Sequence, residues 1–384
     1  MRTRIEEIDT IRGYAIFGIL VCNIFLFHHP IEYFSQFFFS DKSASGQFFN
    51  FIRFNYFGDR TYTVFSFLFG IGIGMQYLKF KERGESFTKY HTYRMLGLLL
   101  LGILHTTLLW YGDILTLYAL LGICIIPLFG LSFRKTLAIA FVCLLMPTVQ
   151  TILARNGIFE LSFRRTEPQS LTAVINQNTN QGLIGHLKFN WYQISHVYEY
   201  YASGMVFTSV GMILIGFSLG QTKRFSKDVR NVKHHKKIVL ICIPIVLVWS
   251  LYQLFIFNPE KLGTTFDFYL FWFLTSTSAF AQTFLVVSGC FLLYRRKFSS
   301  SMLITGFNKL GKLSLTNYVF HSLFGLIAFK IFGLFGQSTP SIDFCLAIVV
   351  TLIQMLVSDA LLKRYGKGPL EIAWRKLTSF LVRL

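Results

Sequence analysis

The sequence predicts an all-α, polytopic integral membrane protein with about ten transmembrane helices and both termini in the cytoplasm. Three observations carry that expectation. Of 384 residues, 53% are hydrophobic and only 14% charged, against roughly 25% charged residues in a soluble domain. Apolar runs of membrane-spanning length recur along the whole chain, and the mean hydropathy is +0.52. Between the runs, 28 of the 37 Lys and Arg fall in the loops of one side and 8 in the loops of the other. That bias sets the orientation. It also accounts for the net charge of +19 without a basic domain, so no nucleic-acid partner is expected.

The apolar segments lie near 13–28, 61–78, 95–110, 113–130, 135–154, 196–221, 238–257, 267–294, 313–335 and 341–362, within a single transmembrane domain over 1–384. The third and fourth are joined by the turn Trp110-Tyr111-Gly112-Asp113. Of two long outer segments, the first, near 29–60, is dense in aromatics and reads as an amphipathic stretch in the outer interface; the second, near 155–195, is polar and then aromatic and reads as a cover over a substrate cavity. An interfacial aromatic belt is the alternative for both. The cytoplasmic tail, 363–384, has Pro369 at a helix start and Glu371 and Arg375 at i, i+4, the pattern of an amphipathic surface helix. All six Cys lie within apolar runs without ligand spacing, and read as small buried hydrophobes; no metal site is expected.

Polar residues inside the spans are the candidates for function, because exposing them to lipid costs several kcal/mol. Arg12 and Asn23 are eleven residues apart, hence about 20° apart around a helix and about 16 Å along it. Asp9 precedes Arg12 by one turn, and His28 and His29 stand at the outer end. An interfacial Asp9–Arg12 pair with an interhelical Asn23 is the alternative to a polar conduit. Arg94 and His105 repeat the spacing of eleven. Asp113 follows across the turn, placed either to orient His105 as a base or to cap the fourth helix. In "SLTNYVFHS", Ser314, Asn317, Tyr318 and His321 form one stripe beside Lys309 and Lys312. It is suited either to a phosphorylated ligand or to helix–helix hydrogen bonds. Lys330 is read as snorkelling and Asp359 as pairing with Lys363.

The segments "RIEEIDTIRGYAIFGILVCN", "FSFLFGIGIGMQ", "LLLGILHTTLLWYGDILTLYALLG", "GKLSLTNYVFHS" and "GKGPLEIAWRKL" resemble, in order and from end to end, the YeiB-like membrane proteins of domain of unknown function 418. The opening Asp, Arg-Gly and intramembrane Asn, with "FGDRTYTVFSFLFGIG" and its Gly58-Asp59, are also remotely similar to the heparan-alpha-glucosaminide N-acetyltransferases. The acyltransferase-three family opens alike, with a His where this chain has Asn23. The remote resemblance implies an acyltransferase of the cell membrane that takes acyl-CoA, acetyl-CoA first, from the cytosol and delivers the acyl group outside. It implies Asn23 and His28 or His29 as the catalytic pair. Here His follows Asn by five or six residues, closer than that pattern, which leaves His105 as a competitor. Arg12, Arg94 and Lys312 are then expected to hold the donor's phosphates. The acceptor is a glycan, lipid headgroup or other hydroxyl or amine, and a homo-oligomer is compatible with the sequence. A transporter or flippase of a small polar or lipid-linked compound is the alternative; the lack of an internal repeat and the scarcity of central acids weigh against it. A non-catalytic assembly partner is a third class.

Overall fold

The computed structural model describes residues 5–33, 37, 40–158, 182–200, 204–222, 231–256, 265–295 and 300–383. Every regular element among them is helical. The helices are α1 (Glu6–Phe27), α2 (Ala44–Ile52), α3 (Gly58–Arg83), α4 (Phe87–Leu108), α5 (Leu115–Cys124), α6 (Phe133–Arg155) and α7 (Gly182–Tyr200). They continue with α8 (Val206–Gly220), α9 (Val232–Phe255), α10 (Thr265–Arg295), α11 (Met302–Lys312), α12 (Ser314–Gly325), α13 (Pro340–Tyr365) and α14 (Pro369–Arg383). Two wider π segments, Arg53–Phe57 and Leu326–Ile331, continue α2 toward α3 and extend α12.

Among the described residues, six helical stretches are long and apolar enough to cross a bilayer: α1, the 40-residue run Ala44–Arg83, α6, α9, α10 and α13. The other expected spans are shorter or more polar. The segment expected at 113–130 is α-helical only over Leu115–Cys124, because Pro127 lacks the N–H that would continue the ladder and the chain tightens into a 3-10 turn over Ile126–Leu128. The segment expected at 313–335 ends its α-helix at Gly325.

Burial sorts the long helices into centre and rim. In α1, 67% of the apolar stretch is buried, against 6% in α6 and 22% in α9. Peripheral helices present apolar side chains outward, such as Phe141 and Leu240, as a lipid-facing surface requires. Cys124 and Cys345 lie on that exposed surface instead of inside, whereas Cys242 is buried as expected.

The closest helix crossings are made by glycine. In α3, Gly70 and Gly74 lie against the carbonyls of Ile213 and Phe217; in α8, Gly216 and Gly220 lie against those of Phe67 and Ile71. A Cβ at any of the four would collide with backbone, so the i, i+4 glycines set the approach. Gly13 of α1 and Gly311 of α11 make a second such crossing, against Phe307 and Asp9.

The tail forms the expected helix but docks on the bundle. Glu371 of α14 accepts the Leu315 and Thr316 N–H groups at 2.9 and 3.2 Å, and the Thr316 hydroxyl as well. It therefore caps α12 from another helix, in place of the expected Arg375 pairing. Trp374 Nε1 donates to the Arg94 carbonyl at 2.8 Å, and the Arg94 guanidinium stacks 3.9 Å over the indole.

Candidate functional site

The polar residues collect at opposite ends of α1. At its N-terminal end Arg12 donates to Asp9 at 2.9 Å. Arg94 lies within electrostatic reach of both Arg12 and Arg375, so three guanidiniums converge there beside Trp374. Lys312 and Ser314 are half-buried at the α11–α12 junction. Lys309 and Lys363 both bond Asp359, at 2.9 and 2.8 Å.

Deeper in the bundle, the α12 stripe is engaged by its neighbours. Asn317 Nδ2 donates to Leu310 O and Ser358 Oγ, at 3.1 and 3.0 Å. Gln354 donates to the Asn317 carbonyl, and its Oε1 lies 3.0 Å from His321 Nε2. These bonds join α12 to α11 and α13. Asn23 differs: it is half-buried and its amide has no hydrogen-bond partner among the described residues. Asp59 opens α3, and its side chain lies outside the described residues.

Two histidine–aspartate pairs stand at the other end of the bundle. The first closes α1. His28, fully buried, places Nε2 3.0 Å from Asp343 Oδ1. Arg53 Nη2 donates to Asp343 Oδ2 at 3.1 Å, and Ser338 donates to Oδ1 at 2.6 Å. The rest of the Arg53 guanidinium is satisfied by the Val21 carbonyl and Asn50 Oδ1, at 3.2 and 3.1 Å. A buried carboxylate thus meets a buried guanidinium with its donors filled, the condition for such a pair to be tolerated. His29 Nδ1 lies 3.0 Å from the Phe25 carbonyl, and its ring stacks on Phe25. Phe329 stacks on His28 at 4.6 Å and closes the other side.

The second pair is built on the turn after α4. His105 is 3% exposed, and its Nδ1 lies 2.9 Å from Asp113 Oδ1. This is ion-pair distance, although off the axis of an aligned hydrogen bond. Asp113 also accepts the Leu115 and Thr116 N–H groups, at 3.0 and 2.7 Å. The bonds that cap α5 therefore also fix the carboxylate that faces His105. Gly112 makes the turn feasible, since a Cβ there would strike the Trp110 ring. Tyr318 receives the Ile114 N–H at 3.1 Å and packs its ring 5.2 Å from that of His105. Tyr111 ties the two pairs together, its hydroxyl lying 3.0 Å from the Leu26 carbonyl and 3.2 Å from that of His29.

On its other side, His105 Nε2 lies 2.8 Å from Ser322 Oγ of α12. Ser322 lines a cleft together with Phe27, Trp110, His186, Asn190 and Lys330. The cleft offers about 20 Å³ to the centre of a water-sized sphere, room for one water molecule. Helix α7 lies over it, held by His186 Nε2 at 3.1 Å from the Leu109 carbonyl and by Asn190 donating to Thr107 O at 3.3 Å. Burial, with Lys330 nearby, pushes the His186 imidazole down to about 4. The Trp110 indole N–H is buried with no partner among the described residues.

Arg53, Asp343, Ser322 and Trp110 were not among the sequence candidates. An arginine in an apolar aromatic stretch and an acid in the first turn of a span were the available signals for two of them. Ser322 follows His321 directly but points along a different face, outside the stripe.

Comparison with known proteins agrees along the chain. The family model described as "Protein of unknown function (DUF418)" matches residues 219–380. The Bacillus subtilis (strain 168) "Uncharacterized protein YxaH" is 28% identical, over 98% of this chain and 94% of its own length. The "Uncharacterized 39.9 kDa protein in amylase 3'region" of Bacillus acidopullulyticus is 26% identical over 98% and 94%. The "Uncharacterized protein YeiB" of Escherichia coli (strain K12) is 24% identical over 97% and 95%. By the family model over residues 219–380 and by relatives aligned over nearly their whole lengths, the chain is similar to the YeiB-like DUF418 proteins.

Proposed function

We propose that this protein is an acyltransferase of the cell membrane, passing an acyl group from cytosolic acyl-CoA to a hydroxyl or amine acceptor on the outer side. The observation that carries the reading is His105, buried between Asp113 and a cleft-lining serine. A carboxylate at Nδ1 favours the tautomer whose Nε2 is free to accept a proton, the arrangement of a general base. His105, not His28, has such an atom directed to a group that lines a cleft.

Two further features support the donor. Arg12, Arg94 and Arg375 gather positive charge at the end of α1 assigned to the cytoplasm by the basic-residue bias, suited to the phosphates of CoA. The unpartnered Asn23 amide lies between that end and the histidines, placed to donate to a thioester carbonyl as charge develops. At 22 residues, α1 is about 33 Å long, matching a hydrocarbon core of about 30 Å.

The test is CoA release from acetyl-CoA by purified protein in detergent and in lipid, wild type beside His105→Ala. Turnover that falls about 10²- to 10⁴-fold in the variant is the expected result. Failure of the wild type to bind or turn over any acyl-CoA would overturn the reading and put a carrier of small polar compounds in its place.

A further inference from the structure

We propose that Ser322 is a nucleophile that carries the acyl group covalently, so that transfer proceeds in two half-reactions. The inference deepens the acyltransferase reading and rests on it for the identity of the donor, but not for the reactivity of the serine.

Ser322 Oγ, His105 Nε2, His105 Nδ1 and Asp113 Oδ1 form one chain with contacts of 2.8 and 2.9 Å at its two ends. The serine, histidine and aspartate are 1%, 3% and 2% exposed. Other buried histidines show what a purely structural imidazole looks like in this bundle. His91 bonds the Gly122 carbonyl and His321 bonds Gln354, and among the described residues no carboxylate bonds either ring. His105 alone among these three joins an acid to a hydroxyl, and that hydroxyl lines a cleft. Two helices, α4 and α12, and the turn between α4 and α5 supply the members. Asp113 is fixed by two peptide N–H groups, so it holds the imidazole without itself needing to move.

In the first half-reaction Ser322 Oγ forms a bond to the thioester carbonyl carbon while its proton passes to His105 Nε2. The tetrahedral intermediate collapses, the C–S bond breaks, and His105 returns the proton to the departing CoA thiolate. In the second, an acceptor hydroxyl or amine gives its proton to His105 and attacks the serine ester; the Oγ–C bond breaks and Ser322 recovers the proton. The negative oxygen in both intermediates needs donors. The unpartnered Trp110 indole N–H and the Lys330 ammonium belong to residues lining the same cleft.

The experiment combines two probes of the full-length protein. Wild type is treated with phenylmethylsulfonyl fluoride, and separately with labelled acetyl-CoA without acceptor; the modified residue is located by peptide mass spectrometry. Both adducts are expected on Ser322, with sulfonylation slowed about 100-fold in His105→Ala. Ser322→Ala is expected to retain acetyl-CoA binding and lose the acyl adduct, and Ser322→Cys to regain an adduct as a thioester. A sulfonyl adduct on Ser322 without acetyl-CoA turnover would leave the nucleophile standing and overturn acyl-CoA as its donor. Acetyl-CoA turnover that persists at the wild-type rate in Ser322→Ala would do the reverse. Absence of both adducts from Ser322 in the wild type would overturn the nucleophile, with no variant needing to fold.

Discussion

His28 and His105 stand at the same end of the bundle, each buried and each within 3.0 Å of an aspartate oxygen. Their surroundings differ in three respects. Asp343 is neutralised by Arg53 and bonded by Ser338, whereas Asp113 is held by two peptide N–H groups. His28 is sealed between Phe329 and His29, whereas the partner of His105 lines a cleft. The free ring nitrogen of His28 bonds nothing among the described residues, whereas that of His105 meets a serine hydroxyl. A histidine–carboxylate pair in a membrane protein is thus not in itself a site. The cation near the acid and the group on the far side of the imidazole decide whether it braces helices or moves protons.

The largest effect is expected from breaking the compensated pair. Arg53→Met leaves Asp343 as a buried carboxylate without its cation, at a cost of about 3–5 kcal/mol in stability. The double variant Arg53→Met/Asp343→Asn should recover most of that loss in thermal unfolding. Equal destabilisation of the single and double variants would show that the charge balance is not what holds α1 to α13.

The next effect comes from His28→Gln, expected to destabilise by about 1–3 kcal/mol through the unpaired acceptor it leaves on Asp343. Glu371→Ala should cost about 1–2 kcal/mol, since it uncaps α12 and undocks α14. Hydrogen exchange at Leu315, Thr316 and along α14 would report it, and unchanged protection there would refute the capping role. The smallest stability change, within about 0.5 kcal/mol, is expected for Asn23→Ala, whose amide bonds nothing among the described residues. A turnover loss in that same variant would place Asn23 with the chemistry.

What was legible from sequence divides along the distance between partners. The membrane class, the central polar helix and the end-to-end placement of Arg12, Asn23, His28 and His105 follow from composition and helical period. Asp113 was legible because its partner is eight positions away across one turn. Arg53 and Asp343 are 290 positions apart, and His105 and Ser322 are 217 apart; only tertiary packing joins them. The α12 stripe was legible as a stripe, but its periodicity does not tell a ligand from Gln354 and Ser358 on the next helix. The shortened α5 follows from Pro127, a local signal that the apolar run around it masks.

The most direct measurement sets His28→Gln against His105→Gln, recording unfolding and acetyl-CoA turnover on the same purified samples. A crossed result is expected: His28→Gln loses mainly stability and keeps turnover within a few-fold, while His105→Gln folds and loses turnover by about 10²- to 10⁴-fold. Turnover that survives in His105→Gln, or disappears in a folded His28→Gln, would contradict it.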